Sequence, residues 1–359
     1  MRLFSAAAAL LLALVVFGCR PARDPNEIRL GYAPNLTHAQ ALVALAEGEF
    51  ARALQPPARL KATAFNAGPA MIEALFAREL DLAYVGPVPA INGFVQSAGR
   101  ALVIVAGSAS GGSALVVRSD AGIENEEGLA GRAIAVPQFG GTQDVALRTY
   151  LADRGLKTYE RGGSVRVLAV PNPEALTLFK KGALDAAMVP EPWIARLLAE
   201  AGGRVLVDER SLWPGGRFAT TVLVARRGFL EEQPGTVRAL LEVHLRVTGR
   251  VRERPEEAVA LIRKQMAAVM GRALPVEILR AGLLRVEPLV DPLPASILAD
   301  AANARALGYL KRPPQLEGLV DLSILNGLLR DMGRAGISEG ALGRPGLGGS
   351  LVKAGESEG

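Results

Sequence analysis

The chain has 359 residues, half of them hydrophobic, with 41 Lys and Arg against 36 Asp and Glu and a formal charge of +5. That length suits two domains with real cores, and the composition excludes a disordered chain. The basic residues are interspersed with acids and form no stripe interleaved with aromatics, which argues against nucleic acid as a partner. The mild positive charge would attract small anions only weakly at physiological salt.

The first segment reads as a leader rather than part of the fold. Arg2 is a minimal basic region, and residues 3–17 are apolar but too short for a comfortable transmembrane helix. Cys19, the sole cysteine, sits where a signal peptide would be cut. A lone thiol exported to an oxidising compartment has no disulfide partner but suits lipid attachment. Gly18 before Cys19 resembles the bacterial lipobox, although Phe17 stands where a small residue is usual. Plain secretion is the alternative. Residues 1–18 are thus expected to be a lipoprotein signal peptide and 19–27 a polar tether. The protein would then be exported and lipid-anchored to the cell membrane, facing the periplasm or the exterior. No other stretch is apolar for long enough to cross a bilayer.

Residues 28–32 read as a strand, followed by a turn at Pro34 and Asn35 and a helix over 37–45. A strand at 60–64, a helix over 67–80 opened by Gly68-Pro69, and a strand at 82–85 come next. A short helix at 91–98 and a buried strand at 101–106 complete the first unit. Strands alternating with helices predict an α/β fold with a parallel sheet. The small-residue run 107–111 and a second Gly-bearing run at 215–221 each precede a strand and read as crossovers between two lobes. Lobe one is therefore expected to be discontinuous, 28–111 with 222–332, and lobe two to be 112–221, on a two-strand hinge. The stretch 231–332 has helical periodicity, and the glycine-rich 333–359 reads as a disordered tail.

The stretch VPQFGGTQD (136–144) ends a strand, turns at Gly140 and Gly141, and opens a helix at Thr142. Such a turn directs free backbone N–H groups and a helix dipole at one small space, as an oxyanion site requires. Taken alone, an ordinary βα turn fits equally well. The pattern occurs twice, however. The run 28–43 has the same plan, with Ile28 matching Ile134 and Thr37 matching Thr142. The segments 76–87 and 179–192 also correspond, with Asp81 matching Asp185. Two similar halves, each with a helix start beside a strand end, suggest two lobes facing one cleft. Asp81 and Asp185 fall at the opposite strand ends and read as turn or cap residues.

Catalytic signals are sparse. There are two histidines, no metal-type spacing of His, Cys, Asp and Glu, and no GxSxG or P-loop signature. No metal and no cofactor is implied. His244 reads as a packing residue. His38, at a helix start that disfavours a charged ring, would be a neutral donor serving either a cap or a ligand. VPEPW (189–193) lies just past a strand end, with Glu191 stiffened between two prolines and Trp193 offering a flat face. Tyr84, Gly86 and Pro87 hold the matching position in the first half, and 107–110 would supply hydroxyls and open N–H groups. The expected ligand-binding residues are Asn35, Thr37, His38, Tyr84, Gly86, Ser108, Ser110, Gly140, Gly141, Thr142, Glu191 and Trp193.

These motifs, GYAPNLTHAQALVAL, FNAGPAMIEAL, LDLAYVGPVPA, AVPQFGGTQD and LDAAMVPEPW in that order, resemble the solute-binding proteins of ABC importers for sulfonates, taurine and nitrate. The resemblance spans about 28–330. It implies the type II periplasmic binding protein fold, a small anionic ligand in the interlobe cleft, and a membrane permease with its ATPase as partners. The chain is expected to be a monomeric receptor, and the sparse catalytic signals argue against an enzyme. Helix starts at one end of the site and the Glu191 carboxylate at the other would favour an aminosulfonate such as taurine over nitrate. The competing reading is an enzyme or binding protein for a thiamine-pyrimidine precursor on the same fold. Export and the scarcity of His and Cys argue against the enzyme. A sensor module would need an attached signalling segment, and none is visible.

Overall fold

The computed structural model describes residues 24–344. The expected signal peptide, Cys19 and the start of the tether lie outside the described residues, as does 345–359. Eleven strands are named here in chain order: β1 (Glu27–Tyr32), β2 (Arg59–Ala64), β3 (Leu82–Val85), β4 (Leu102–Gly111), β5 (Ser113–Arg118), β6 (Ala133–Val136), β7 (Arg166–Ala169), β8 (Ala186–Pro190), β9 (Gly203–Asp208), β10 (Ala219–Arg226) and β11 (Val286–Pro288). The helices that position the site are α1 (Ala39–Glu47), α2 (Glu49–Ala53), α3 (Gly68–Phe76), α4 (Pro87–Gln96), α5 (Thr142–Asp153), α6 (Asn172–Lys180) and α7 (Trp193–Ala201). The remainder is largely helical: α8 (Arg227–Glu232), α9 (Pro234–Glu253), α10 (Pro255–Met270), α11 (Val276–Leu283), α12 (Pro294–Ala306) and α13 (Ser323–Asp331). None of the described helices is long and apolar enough to cross a membrane.

The strands form two sheets, ordered β11-β4-β10-β3-β1-β2 and β7-β6-β8-β5-β9. Both are mixed, where the alternation of strands and helices predicts a parallel sheet. Strand β1 is parallel to β2 and β3, and β6 is parallel to β7 and β8, as βαβ crossovers require. Strand β10, however, returns from the second half and enters the first sheet antiparallel between β3 and β4. Strand β5 likewise runs antiparallel to β8 and β9. The chain passes between the sheets twice, at Gly111–Gly112, both with positive φ, and through 209–218.

The two halves repeat one another down to single hydrogen bonds. Asp81 Oδ2 accepts the Arg29 N–H, and Asp185 Oδ2 accepts the Ala133 N–H. The backbone answers in kind, with the Asp81 N–H on the Arg29 carbonyl and the Asp185 N–H on the Ala133 carbonyl. Each aspartate therefore ties the end of one strand to its parallel neighbour, as its place away from the cleft predicts. The register corrects one correspondence. Leu30 faces Leu82 as Ile134 faces Ala186, so Leu30, not Ile28, is the counterpart of Ile134.

Strand alternation divides the second core. Ala114 and Val116 pack on the face that carries Trp193 and Phe179, while Leu115 and Val117 pack on the opposite face with Leu147 and Tyr150. The first half has one core, under α1 to α4 and α8 to α13. Residues 333–344, expected to begin a disordered tail, return to that core instead. Leu342 is fully buried, its carbonyl accepts from Gly318 and Val320, and the Ile337 N–H donates to Asn326 Oδ1. One leucine among glycines has no apolar period, yet burying it contributes about 1.5–3 kcal/mol.

Candidate functional site

Between the sheets lies a cavity of ≈ 40 Å³. Its wall is built mainly from places where strands give way to helices. Ala67 and Gly68 begin α3, Gly86 begins α4, Gly141, Thr142 and Gln143 begin α5, Asn172 begins α6, and His38 precedes α1. None of these five helices has a side chain capping its start. At the starts of α3 to α6 the N–H groups that remain, those not removed by Pro69, Pro87, Pro89 and Pro173, have no intrahelical acceptors, whereas the Ala39 N–H of α1 donates to the Leu36 carbonyl of the turn before it. The Thr142 hydroxyl and Asn172 Oδ1 are buried there with no hydrogen-bond partner. Turning the Asn172 amide over presents its donors instead.

No Asp, Glu, Lys or Arg lines this cavity. His38, which does, is neutral: burial lowers its pKa from 6.5 to about 3. Its Nδ1 accepts the Ala33 N–H at 3.2 Å, so the ring proton sits on Nε2 and remains available as a donor. The cavity is thus a set of oriented neutral dipoles with an excess of donors. It suits a small anion that brings its own charge and no proton.

Six of the twelve expected residues line the cavity: Asn35, Thr37, His38, Gly86, Gly141 and Thr142. The other six do not, each for a visible reason. The Gly140 N–H is spent on Asp144 Oδ2 at 2.8 Å, and its positive φ of 71° serves the turn. Tyr84 is fully buried and bonded to His244 Nδ1 at 2.8 Å, while His244 Nε2 meets the Gly107 carbonyl. Tyr84 and His244 therefore form a layer behind His38, whose ring lies 6.3 Å from that of Tyr84. Ser108 exchanges hydrogen bonds with Gln40, and Ser110 Oγ accepts the Phe218 N–H. The run expected as an open loop is instead the end of β4, paired with β10 and β11.

Glu191 is the main correction. Its carboxylate caps α7 through the Ala195 N–H at 3.1 Å and pairs with Arg285 at 3.0 Å. Burial pushes it up to about 7, against the pull of these two partners. The two prolines do fix its direction, but toward α7 and α11 rather than the cavity. Trp193 is 2 % exposed and donates from Nε1 to Asn35 Oδ1, closing the gap between the halves. Its ring lines an adjoining chamber instead.

Sequence reasoning missed Asn66, Gly68, Asn172, Gln138, Gln143 and Thr221 in the wall. The strand-end-to-helix rule that singled out Thr142 applies equally after β2 and β7. There Asn66 precedes Gly68-Pro69, and Asn172 stands between Pro171 and Pro173.

A model described as the NMT1-like family matches residues 22–267, well over half of the sequence. The chain belongs to the NMT1-like family. It is 25% identical over 325 residues to a protein of Escherichia coli (strain K12) named for binding aliphatic sulfonates, covering 86% of this chain and 96% of that one. It is 28% identical over 199 residues to the taurine-binding periplasmic protein of the same strain, covering 55% of this chain and 60% of that one. Among solved structures, the alkanesulfonate-binding protein SsuA from Xanthomonas axonopodis pv. citri bound to MOPS superposes with a TM-score of 0.66 at 23% identity. That match covers 82% of this chain and 96% of SsuA. This NMT1-like chain accordingly has the fold of the periplasmic binding proteins, in the two-lobed type II arrangement expected from its motifs.

Proposed function

We propose that this chain is the extracytoplasmic receptor of an ABC importer and that its cavity takes the oxyanion head of a small organic sulfonate. The observation that carries this reading is the convergence of four helix starts without a side-chain cap, those of α3 to α6, and the neutral His38 ring on ≈ 40 Å³ of space with no formally charged side chain in its wall. Three sulfonate oxygens offer the acceptors that such a wall lacks. The names of the relatives point the same way, toward sulfonates and taurine. Glu191, bonded to Ala195 and Arg285, gives no ground for preferring an amino group on the ligand.

In this reading the halves are lobes 28–111 with 222–332, and 112–221, hinged at Gly111–Gly112 and at 209–218. Only a ligand touching both lobes favours the shut form, and the permease with its ATPase reads that difference. Residues 1–18 direct export, Cys19 carries the lipid, and the receptor acts as a monomer. Both histidine rings are held neutral within hydrogen bonds, which supports binding over catalysis.

Thermal shift and calorimetry with ethanesulfonate, taurine, nitrate and sulfate test the proposal, since a ligand for the folded state raises Tm. The expected result is saturable binding of a sulfonate, recovered unchanged by mass spectrometry. Absence of binding by any oxyanion, or conversion of the ligand, overturns it.

A further inference from the structure

The same three asparagines that wall the head cavity, Asn35, Asn66 and Asn172, also wall a second chamber of ≈ 470 Å³. The head cavity therefore adjoins a space some ten times larger, with the three asparagines between them. That chamber is formed by α6 and α7 of the second half and the end of α10 in the first. Leu176, Trp193, Val269 and Met270 give it an apolar wall.

Its outer end is basic. Lys180 and Arg272 line it, while Arg196 is buried over the Trp193 ring and bonded to both oxygens of Glu200, the one carboxylate among the lining residues. Glu200 is shared between Lys180 at 3.1 Å and Arg196 at 2.6 Å. Arg272 has no ion-pair or hydrogen-bond partner among the described residues, and it is exposed. Three cations against one anion leave the lining with an excess of two positive charges. Asn172, Leu176 and Lys180 follow one another at four-residue spacing along α6, so the basic end lies about 12 Å from the head cavity.

We infer that the ligand is a dianion: an oxyanion head in the small cavity, an apolar tail along Trp193 and Leu176, and a second anionic group between Lys180 and Arg272. The inference rests on the proposed oxyanion receptor and adds the class of solute it takes. A tail of this kind touches both halves, so its contacts strengthen closure as well as affinity. A cationic or uncharged tail end would leave Arg272 unmatched, which is how the chamber discriminates.

Calorimetry on the full chain, with two ligands of equal length spanning about 12 Å, decides the matter. One is an alkanesulfonate and the other carries a terminal carboxylate; ethanesulfonate is the short reference. The expected result is that the sulfonate-carboxylate binds at least 10-fold more tightly than the alkanesulfonate, with a preference that shrinks as salt is raised. Arg272→Gln should cut that ratio to below 3-fold, and Arg272→Lys should restore most of it. The ratio removes any effect of the substitution on head binding. Tight ethanesulfonate binding with no preference for the dianion overturns the inference and leaves the receptor reading standing. Failure of all three sulfonates to bind overturns both.

Discussion

A β-carbon on Gly86 would overlap the hydroxyl oxygen of Thr142 and stand 3.2 Å from its Cβ. The two residues stand at the starts of α4 and α5, in different halves, and meet across the cavity. Gly86 has an ordinary φ of −65°, so alanine there costs nothing in backbone strain. Gly86→Ala should therefore leave folding intact and prop the halves apart. Overpacking of this sort costs about 1–3 kcal/mol, or roughly 10- to 100-fold in Kd. Calorimetry reads the loss, and a larger radius of gyration by X-ray scattering with ligand reads the propping. Unaltered affinity would show that closure does not bring these residues together.

Thr142→Val separates binding from stability. The threonine hydroxyl is buried without a hydrogen-bond partner among the described residues, so replacing it with an isosteric methyl should be neutral or slightly stabilising. With an anion bound, the same hydroxyl is a donor to a charged acceptor, a bond of about 1.5–3 kcal/mol. The expected outcome is a Tm equal to or above that of the parent, with affinity reduced roughly 10- to 100-fold. A drop in Tm without loss of affinity would assign Thr142 to structure alone.

The helix start at Thr142 is legible in sequence because its signals are local: an apolar run, a proline, two glycines and a threonine, all within nine residues. Ser108 and Ser110 are misread because their environment is set from afar. A run of Gly, Ser and Ala looks like a loop until β10 and β11, more than a hundred residues later, pair with it. Glu191 fails for another reason. Flanking prolines stiffen a backbone, but which side of it faces the cleft depends on Arg285 and α7, which the local pattern does not encode. The alternation of strands and helices conveys the two halves and their order, while the antiparallel entry of β10 follows from a return crossing that periodicity cannot express.

Stability should depend on pH through two opposed sets of buried groups. Burial pushes Glu191 and Glu209 up to about 7 from 4.5, so between those values the folded chain holds protons that the unfolded chain has released. Their contribution is complete below pH 4.5 and is lost as pH rises through 7. His38 and His244 are lowered by burial to about 3 and about 4 from 6.5. Their contribution is complete above 6.5 and is lost as pH falls toward those values. Glu209→Gln removes one member, together with its upward push on the buried Asp300 carboxyl. The variant should gain on the parent as pH rises from 4.5 to 7, by about 3 kcal/mol at the upper end. Denaturation curves at several pH values check this, and parallel profiles for the two proteins would refute it.

Glu191→Ala tests whether the carboxylate holds the fold or reads the ligand. Truncation removes the acceptor for the Ala195 N–H and leaves Arg285 without its partner, which joins α11 to the second half. Loss of a helix cap alone costs about 0.5–2 kcal/mol, so a lower Tm is expected whichever role is correct. The discriminating quantity is the ratio of affinities for taurine and ethanesulfonate, which differ in the amino group. A carboxylate facing the ligand would favour the amine, and its removal would shift the ratio about 10-fold or more toward ethanesulfonate. With Glu191 turned toward α7 and α11, the ratio should stay within about 2-fold of the parent's, a difference under ~0.5 kcal/mol, even if both affinities fall because Arg285 no longer helps to hold the halves together.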